Sequence, residues 1–253
     1  MDLFDLGGKT ALVTGSSRGI GLALARALGR AGAKILLNGR NEERLEKGAS
    51  ALRAEDIETA VACFDVTDAA AVRSAIDNIE ANRGPIDILV NCAGIQFRAP
   101  LEQFPLERWH ELMRTNLDSV FFVSQAVAGG MIARRAGKII NICSVQSELG
   151  RASIAPYAAT KGAVKMLTKG MCAEWANYGI QANGLAPGYF RTELTQALVD
   201  DPAFTAWLEA RTPAARWGDV EELAGACIFL AAPASDFVNG QILYVDGGMT
   251  SVV

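Results

Sequence analysis

Tyr157 and Lys161 stand four residues apart in the stretch APYAATKGAVKMLTKGM, which begins at Ala155. Helix-favouring residues after an early proline predict a helix from Ala155 to Gly170. Because residues i and i+4 share one face of a helix, the phenol and the ammonium should be neighbours. A nearby cation favours the phenolate form of a tyrosine. This spacing therefore suits a tyrosine that exchanges a proton with a bound substrate near neutral pH.

Ser144 ends the apolar run that precedes this helix. Its hydroxyl could hydrogen-bond the carbonyl oxygen of a substrate and fix its position while Tyr157 gives or removes a proton. Taken singly, each residue has an ordinary alternative role: a half-buried aromatic ring, a solvated cation or a strand-end cap. Their combination with a cofactor-binding loop favours catalysis over those alternatives, and over a cofactor-binding sensor that has no chemistry.

The elements that must position these groups are seven short apolar runs that alternate with amphipathic stretches. Continuous Val, Ile and Leu runs predict strands buried on both faces, and helices between them predict a parallel, doubly wound sheet. The runs begin near Thr10, Lys34, Ala60, Ile86, Lys138, Ile180 and Gln241. The sequence thus predicts an α/β fold: a single Rossmann-type domain over residues 1–253, with a seven-stranded parallel sheet and helices on both faces. The longest irregular segment, about 186–205, is expected to be a substrate loop with a short helix from Glu193 to Val199.

The stretch VTGSSRGIG joins the first strand to the first helix, and its glycines are spaced G-x-x-x-G-x-G. Glycines here allow a tight turn and a close approach of the backbone to a pyrophosphate at a helix N-terminus. The alternative is an ordinary glycine-rich turn, which the position at the first turn of such a sheet disfavours. We therefore expect a dinucleotide to contact Gly15, Ser17, Arg18, Gly19, Ile20 and Gly21.

The second strand ends in Asn38, Gly39 and Arg40, without the acidic residue that usually binds the ribose of NAD. Arg18 and Arg40 could instead bind a 2′-phosphate, because guanidinium groups grip phosphate bidentately. This pattern predicts NADP (NADPH) as the cofactor. Further cofactor contacts are expected after the third and fourth strands, at Asp65, Val66, Asn91, Ala93 and Gly94.

Composition argues against several other classes of function. Half of the 253 residues are apolar, the formal charge is −4 and the pI is about 5.2, which argues against a nucleic-acid partner. Five scattered cysteines and one histidine predict reduced thiols and no metal site. No signal peptide and no apolar run of about 18 residues is present, so we expect a cytoplasmic protein without a membrane partner.

The sequence resembles the short-chain dehydrogenase/reductase family over essentially its whole length. The resemblance rests on TGSSRGIG, NCAG and YAATK, and on Asn116, Ser144 and Pro187. The family's usual N-N-A-G reads N-C-A-G here, with Cys92 in second place, which is expected to affect mainly packing. The resemblance implies hydride transfer between nicotinamide and a carbonyl or alcohol, with four catalytic residues: Asn116, Ser144, Tyr157 and Lys161.

The same resemblance implies further roles for several of these residues. Asn116 would hold a water that links Lys161 to solvent as a proton relay. Tyr157 and Lys161 would also contact the cofactor, and Pro187, Gly188 and Thr192 would lie beside the nicotinamide. Subunits would assemble as dimers or as a homotetramer.

Three segments, after Gly94, Ser144 and Gly188, should form the substrate pocket. They contain Gln96, Arg98, Gln146, Glu148, Arg151 and Arg191, which favours a small anionic, hydroxylated substrate over a steroid or a long acyl chain. We expect Arg98 to clamp a carboxylate, with a solvated rim charge as the alternative, and Ser144, Gln146 and Tyr157 to contact the substrate.

The segments INICSVQSELGRASIAPYAATK and ANGLAPGYFRTELT resemble those of family members that act on keto-sugar acids. This resemblance implies NADP-dependent interconversion of D-gluconate and 5-dehydro-D-gluconate. One alternative is a reductase of a different sugar acid. Another is a 3-oxoacyl carrier-protein reductase, which would need a basic patch for its acidic carrier, and the nearest such cluster is Arg134, Arg135 and Lys138.

Overall fold

A parallel sheet of seven strands forms the centre of the molecule, in the spatial order 3-2-1-4-5-6-7. The structure is a computed structural model and describes residues 2–253. The strands are β1 (Thr10–Val13), β2 (Lys34–Gly39), β3 (Thr59–Cys63), β4 (Ile88–Asn91), β5 (Gly137–Ile142), β6 (Ile180–Pro187) and β7 (Ile242–Val245). The predicted seven-stranded parallel sheet is therefore confirmed.

Helices cover both faces of this sheet. They are α1 (Gly19–Arg30), α2 (Glu42–Arg53), α3 (Ala69–Arg83), α4 (Leu106–Met113), α5 (Ser119–Arg134), α6 (Ala155–Trp175), α7 (Gln196–Val199), α8 (Pro202–Arg211) and α9 (Ala224–Ala231). One π-helical turn, Arg114–Asp118, joins α4 to α5. Within the described residues, no helix is both long and apolar enough to cross a bilayer.

The core consists of two apolar layers, one on each side of the sheet. Helices α1, α2 and α9 pack in one layer, and α3, α5 and α6 pack in the other. Successive residues of β1 alternate between the two: Ala11 and Val13 belong to the first layer and Leu12 to the second. Because both faces are covered, every strand position is free to be apolar, which explains the continuous runs in the sequence.

The order of the strands reverses between β1 and β4, which opens a crevice at their carboxyl ends. Thr14 holds this edge together. Its hydroxyl oxygen accepts hydrogen bonds from the backbone N–H groups of Cys92, at 3.0 Å, and Ala93, at 3.1 Å. The glycine loop after β1 and the segment after β4 are thereby fixed side by side at the place where a ligand would enter.

Two sequence expectations about element bounds are wrong. Helix α6 passes through Gly170 and ends at Trp175, because one exposed glycine costs a long, packed helix only about 1 kcal/mol. In segment 186–205 the short helix begins at Gln196 instead of Glu193, and α8 already starts at Pro202. Asp201 caps α8 by accepting hydrogen bonds from the backbone N–H groups of Ala203 and Phe204. An aspartate followed by a proline is a common sequence pattern at the start of a helix.

Gly21 and Gly170 offer a matched test of backbone packing. A Cβ at Gly21 would lie 2.5 Å from the carbonyl oxygen of Gly15, whereas a Cβ at Gly170 would meet no atom within 4 Å. We expect Gly21→Ala to lower the free energy of unfolding by about 1–3 kcal/mol. Gly170→Ala should raise it by about 0.5–1 kcal/mol. Urea unfolding followed by tryptophan fluorescence measures both, and a Gly21→Ala protein as stable as wild type would contradict the packing described.

Candidate active site

A cavity of about 540 Å³ lies at the carboxyl ends of the central strands. The glycine loop and the segments after β4, β5 and β6 all contribute to its wall. It brings together most of the residues that the sequence singled out: Gly15, Arg18, Gly19, Ile20, Gly21, Gly94, Arg98, Ser144, Gln146, Tyr157, Lys161, Pro187, Gly188 and Thr192.

Lys161 is buried at the base of this cavity, with 6% of its surface exposed. Its Nζ donates a hydrogen bond of 2.6 Å to the carbonyl oxygen of Ile142, the last residue of β5. The same Nζ lies 5.9 Å from the centre of the Tyr157 ring, as expected for two residues one helical turn apart. The helix thus places a fixed positive charge beside the phenol.

Ser144 lies two residues beyond the end of β5 and is also buried. Its hydroxyl oxygen accepts the backbone N–H of Gln146, at 3.2 Å, which leaves the O–H free to donate. Ser147 ties this turn to α6, because its hydroxyl donates to the carbonyl oxygen of Lys161 at 3.0 Å. The strand end and the helix are therefore held in a fixed relation, with Ser144 and Tyr157 on the wall of one cavity.

Asn116 lies in the π-helical turn and is fully buried. Its Oδ1 accepts the N–H of Ile95 at 2.8 Å, and its Nδ2 donates to the carbonyl oxygen of Ile95 at 3.0 Å and to Thr160 Oγ1 at 3.2 Å. These bonds join the π-helical turn to the segment after β4 and to α6. The side chain of Asn116 is thus used in three protein contacts. The proton-relay role implied for Asn116 stays a prediction.

The glycine loop fits a dinucleotide. Gly15 has a φ of +62°, and a Cβ there would lie 2.7 Å from the Cα of Ala93, so only glycine allows this approach. Gly19 has a φ of +57° and opens α1. No side chain caps this helix, so its first N–H groups are available to an anion such as a pyrophosphate.

The two arginines expected at a 2′-phosphate lie in different surroundings. Arg18 lines the cavity, and its Nη1 lies 2.7 Å from a carboxylate oxygen of Glu193. Arg40 is exposed after β2, with its Nη1 3.8 Å from the carboxylate of Asp65. Burial raises the pKa of Asp65, but hydrogen bonds from Thr67 and the charge of Arg40 outweigh this effect. The pKa of Asp65 is therefore lower than that of an ordinary aspartate.

Several predicted cofactor residues are near this site without lining the cavity. Asn91 is buried and donates to Ser124 Oγ and Asn141 Oδ1, each at 2.9 Å, so it braces β4 against its neighbours. The predicted catalytic residue Asn116 does not line the cavity either. The remaining predicted cofactor residues outside the cavity wall are Ser17, Arg40, Asp65, Val66 and Ala93. Their cofactor contacts stay predictions.

Arg98 and Gln146 each present an unpaired polar atom at the cavity. Arg98 Nε and Gln146 Oε1 are buried and have no hydrogen-bond partner in the part of the chain that the structure describes. Burial, and then the charge of Arg151, lower the pKa of Arg98. A buried donor and a buried acceptor left unpaired are costly, so both atoms fit a polar ligand that supplies their partners.

Two residues of the expected pocket point elsewhere. Glu148 is exposed and pairs with Lys165 on α6, and it accepts a hydrogen bond of 3.1 Å from the Tyr244 hydroxyl. Arg191 is exposed and lies 3.8 Å from Asp219. Neither lines the cavity, so the expectation that they form the pocket is wrong.

Some residues of the cavity wall were missed by the sequence reasoning. Glu193 and Leu194 belong to segment 186–205, which has too little regular structure for a side-chain direction to be predicted. Cys92, which is expected to affect mainly packing, also lines the cavity. Among residues 2–253, no group of three His, Cys, Asp or Glu side chains is arranged to hold a metal ion.

The chain is similar to known proteins along nearly its whole length. A family model described as enoyl-(acyl carrier protein) reductase matches residues 15–250. A gluconate 5-dehydrogenase of Gluconobacter oxydans (strain 621H) is 61% identical over 249 residues, which are 98% of this chain and 97% of the relative. A 5-keto-D-gluconate 5-reductase of Escherichia coli (strain K12) is 57% identical over 252 residues, which are 100% of this chain and 99% of the relative.

A solved structure is similar along the whole chain. The crystal structure of a gluconate 5-dehydrogenase from Burkholderia cenocepacia J2315, in complex with NADP and tartrate, has 67% sequence identity and a TM-score of 0.98. The match covers 100% of this chain and 99% of that chain. The backbone that forms the cavity is therefore shared with a structure that holds a dinucleotide and a small dicarboxylate.

Cys143 and Cys92 should resist alkylation in the folded protein. Burial raises the pKa of each thiol to about 11, although the nearby Lys161 charge lowers it in part. Since the thiolate is the reactive form, we expect both to react with iodoacetamide at pH 8 more than about a hundredfold slower than an ordinary thiol. Their rates should rise with pH up to about 11.

Peptide mass mapping against time measures these rates, with the exposed Cys63 as the internal reference. Equal labelling of Cys143 and Cys63 at pH 8 would contradict the burial described.

Proposed function

The chain belongs to the short-chain dehydrogenase/reductase family, and from this premise we propose that it interconverts D-gluconate and 5-dehydro-D-gluconate with NADP(H). One observation carries the proposal: Ser144, Tyr157 and Lys161 share a cavity with the unpaired guanidinium nitrogen of Arg98. A hydroxylated acid offers both a carbinol for the first three residues and a carboxylate for the fourth. The full-length relatives that act on gluconate or its 5-keto form support this substrate.

The residues of the glycine loop would hold the cofactor. The uncapped start of α1 would bind the pyrophosphate, and Arg18 and Arg40 would bind the 2′-phosphate of NADP. Arg18 would then exchange its carboxylate partner, Glu193, for the phosphate. When bound, NADPH supplies the hydride. Pro187, Gly188 and Thr192, at the end of β6 and beyond, would lie against the nicotinamide.

Proton transfer falls to Tyr157. In the reductive direction its hydroxyl donates a proton to the substrate oxygen at C5, and in the oxidative direction it removes one. The O–H of Ser144 donates to the same oxygen and fixes its position, since within residues 2–253 this hydroxyl serves only as an acceptor. The ammonium of Lys161, 5.9 Å from the ring centre, stabilises the negative charge left on the phenol.

Recognition of the acid falls to Arg98 and Gln146. The buried Nε of Arg98 would donate to the substrate carboxylate, and the buried Oε1 of Gln146 would accept from a substrate hydroxyl. Both contacts would satisfy atoms that have no hydrogen-bond partner within residues 2–253, although Nη2 of Arg98 donates to Gln96 Oε1 at 3.3 Å. A neutral or purely apolar substrate would leave them unpaired, so the cavity favours a polyhydroxy acid.

The basic cluster that a carrier-protein substrate would need lies at the edge of the sheet opposite to the cavity. Lys138 sits near the amino end of β5, whereas Ser144 follows the carboxyl end of that strand. The ammonium of Lys138 is also buried and pairs with Asp236 at 2.7 Å. Arg134 pairs with Glu80, and Arg135 donates to the carbonyl oxygen of Asn177. A free sugar acid therefore suits this protein better than a carrier-linked acyl chain.

The proposal also includes a cellular location and an oligomeric state. The proposed substrate is a small, charged sugar acid, which suits a cytoplasmic enzyme. A dimer or homotetramer stays the expected assembly, on the resemblance to the family alone. Sedimentation velocity of the purified protein would measure it.

The substrate assignment can be tested on one panel. NADPH and NADH are each offered with a set of keto-sugar acids and with 3-oxoacyl thioesters, free and carrier-linked. We expect the highest kcat/KM for 5-dehydro-D-gluconate with NADPH. The reverse oxidation of D-gluconate should be favoured at alkaline pH because it releases a proton. Folded protein that reduces an acyl thioester better than every sugar acid would overturn the assignment.

The role of Tyr157 can be tested separately. Tyr157→Phe removes only the hydroxyl, so kcat should fall about 10²–10⁴-fold while NADPH still binds. Steady-state kinetics and titration of NADPH fluorescence measure the two effects. Tyr178→Phe is the matched control. That ring does not line the cavity and lies beside the Arg135 guanidinium, so its loss of a hydroxyl should leave kcat unchanged. Near-normal turnover by Tyr157→Phe would rule out the proton-transfer role.

A further inference from the structure

Arg151 is a second cation on the wall of the cavity. It lies beyond the turn that follows Ser144 and is half-buried. Within residues 2–253, no Asp or Glu carboxylate forms an ion pair with it. An anionic partner offsets the free energy that it costs to remove part of a cation from water. The absence of such a partner at the cavity wall calls for a function.

Neutral groups hold the Arg151 guanidinium in place. Its Nη1 donates to the Tyr189 hydroxyl at 3.2 Å, and its Cζ lies 4.6 Å from the centre of the Phe204 ring and 5.9 Å from that of Trp207. Phe204 and Trp207 are on α8. Aromatic faces attract a cation without neutralising it, and the hydroxyl uses one of five N–H donors. Arg151 is therefore oriented and remains free to bind an anion.

Arg98 lines the same cavity, and the backbone N–H of Ala99 donates to the carbonyl oxygen of Ser153 at 3.1 Å, so the segments that carry Arg98 and Arg151 lie side by side. The Nε of Arg98 is buried and unpaired as well. Two guanidiniums on one cavity wall repel each other, and each leaves donors unused. A carboxylate has two oxygens and about four lone-pair positions, so it can accept from both groups at once. One bound carboxylate would remove the repulsion and satisfy the unused donors.

We propose that Arg151 determines specificity by binding the substrate carboxylate together with Arg98, and that Phe204 and Trp207 of α8 hold it in position. This inference rests on the proposed function, because it assigns a second contact to the same sugar acid. A packing role is the competing account of Arg151. The two accounts differ, since packing serves charged and neutral substrates alike, whereas a carboxylate contact serves only the acid.

The test compares D-gluconate with D-gluconamide, which replaces the carboxylate with a neutral amide of nearly the same shape. Both are oxidised with NADP⁺ by wild type, Arg151→Met and Arg151→Lys. We expect wild type to prefer the acid, and Arg151→Met to raise KM for D-gluconate by about 10- to 100-fold. KM for D-gluconamide should stay unchanged. Arg151→Lys keeps the charge without the planar fork, so it should restore part of the preference.

Arg191→Met is the matched control. It removes an exposed arginine of the neighbouring segment that does not line the cavity, so both KM values should stay at the wild-type level. NADPH affinity and thermal midpoint, measured for each variant, show that the protein is folded and binds cofactor.

Two results would overturn the inference on Arg151 alone: an equal rise of KM for acid and amide in Arg151→Met, or a wild-type enzyme that does not prefer the acid. Wild-type protein that binds NADPH and does not oxidise D-gluconate would instead overturn the proposed function, and the assignment of Arg151 with it. Loss of acid preference in Arg151→Met, with partial recovery in Arg151→Lys, supports both.

Discussion

The hydrogen bond from the buried Lys161 ammonium to the Ile142 carbonyl is the contact on which the rest of the site depends. Taking an ammonium out of water costs several kcal/mol, so the surrounding groups must be fixed to compensate it. The bond joins the end of β5 to α6, and Ser147 reinforces the same junction from the strand side. Because Tyr157 lies on α6 and Ser144 lies just after β5, this junction fixes the positions of both side chains. The chemistry of the site is thus built into the packing of one strand against one helix.

Much of this arrangement could be predicted because it follows from regular structure. Apolar runs located all seven strands, since strands covered on both faces consist mostly of apolar residues that pack into the two layers. Ser144 comes just after a strand, and Tyr157 and Lys161 share a helix face. Their convergence could therefore be predicted from the rule that ligands bind beyond the carboxyl ends of parallel strands. The glycine loop was predictable for the same reason, from its place between β1 and α1.

The remainder depends on side-chain directions in irregular segments, which the sequence does not determine. Glu148 and Arg191 were expected in the pocket, and each instead turns outward to an oppositely charged residue. Glu193 meets Arg18 across the cavity mouth only because segment 186–205 folds back over the glycine loop. The sequence predicts that α6 ends at Gly170, but tertiary packing of α6 outweighs the local preference of one residue.

The π-helical turn at Arg114–Asp118 makes the length of the α4–α5 helix a fixed property of the molecule. Such a turn accommodates one extra residue, and each residue of an α-helix advances the chain by about 100°. Deleting a single residue there would restore regular winding and swing Asn116 away from Ile95 and Thr160. Relatives that keep this site can therefore differ in the amino acids on the outer face of the helix. A relative with an insertion or deletion inside the helix would position the residue equivalent to Asn116 differently.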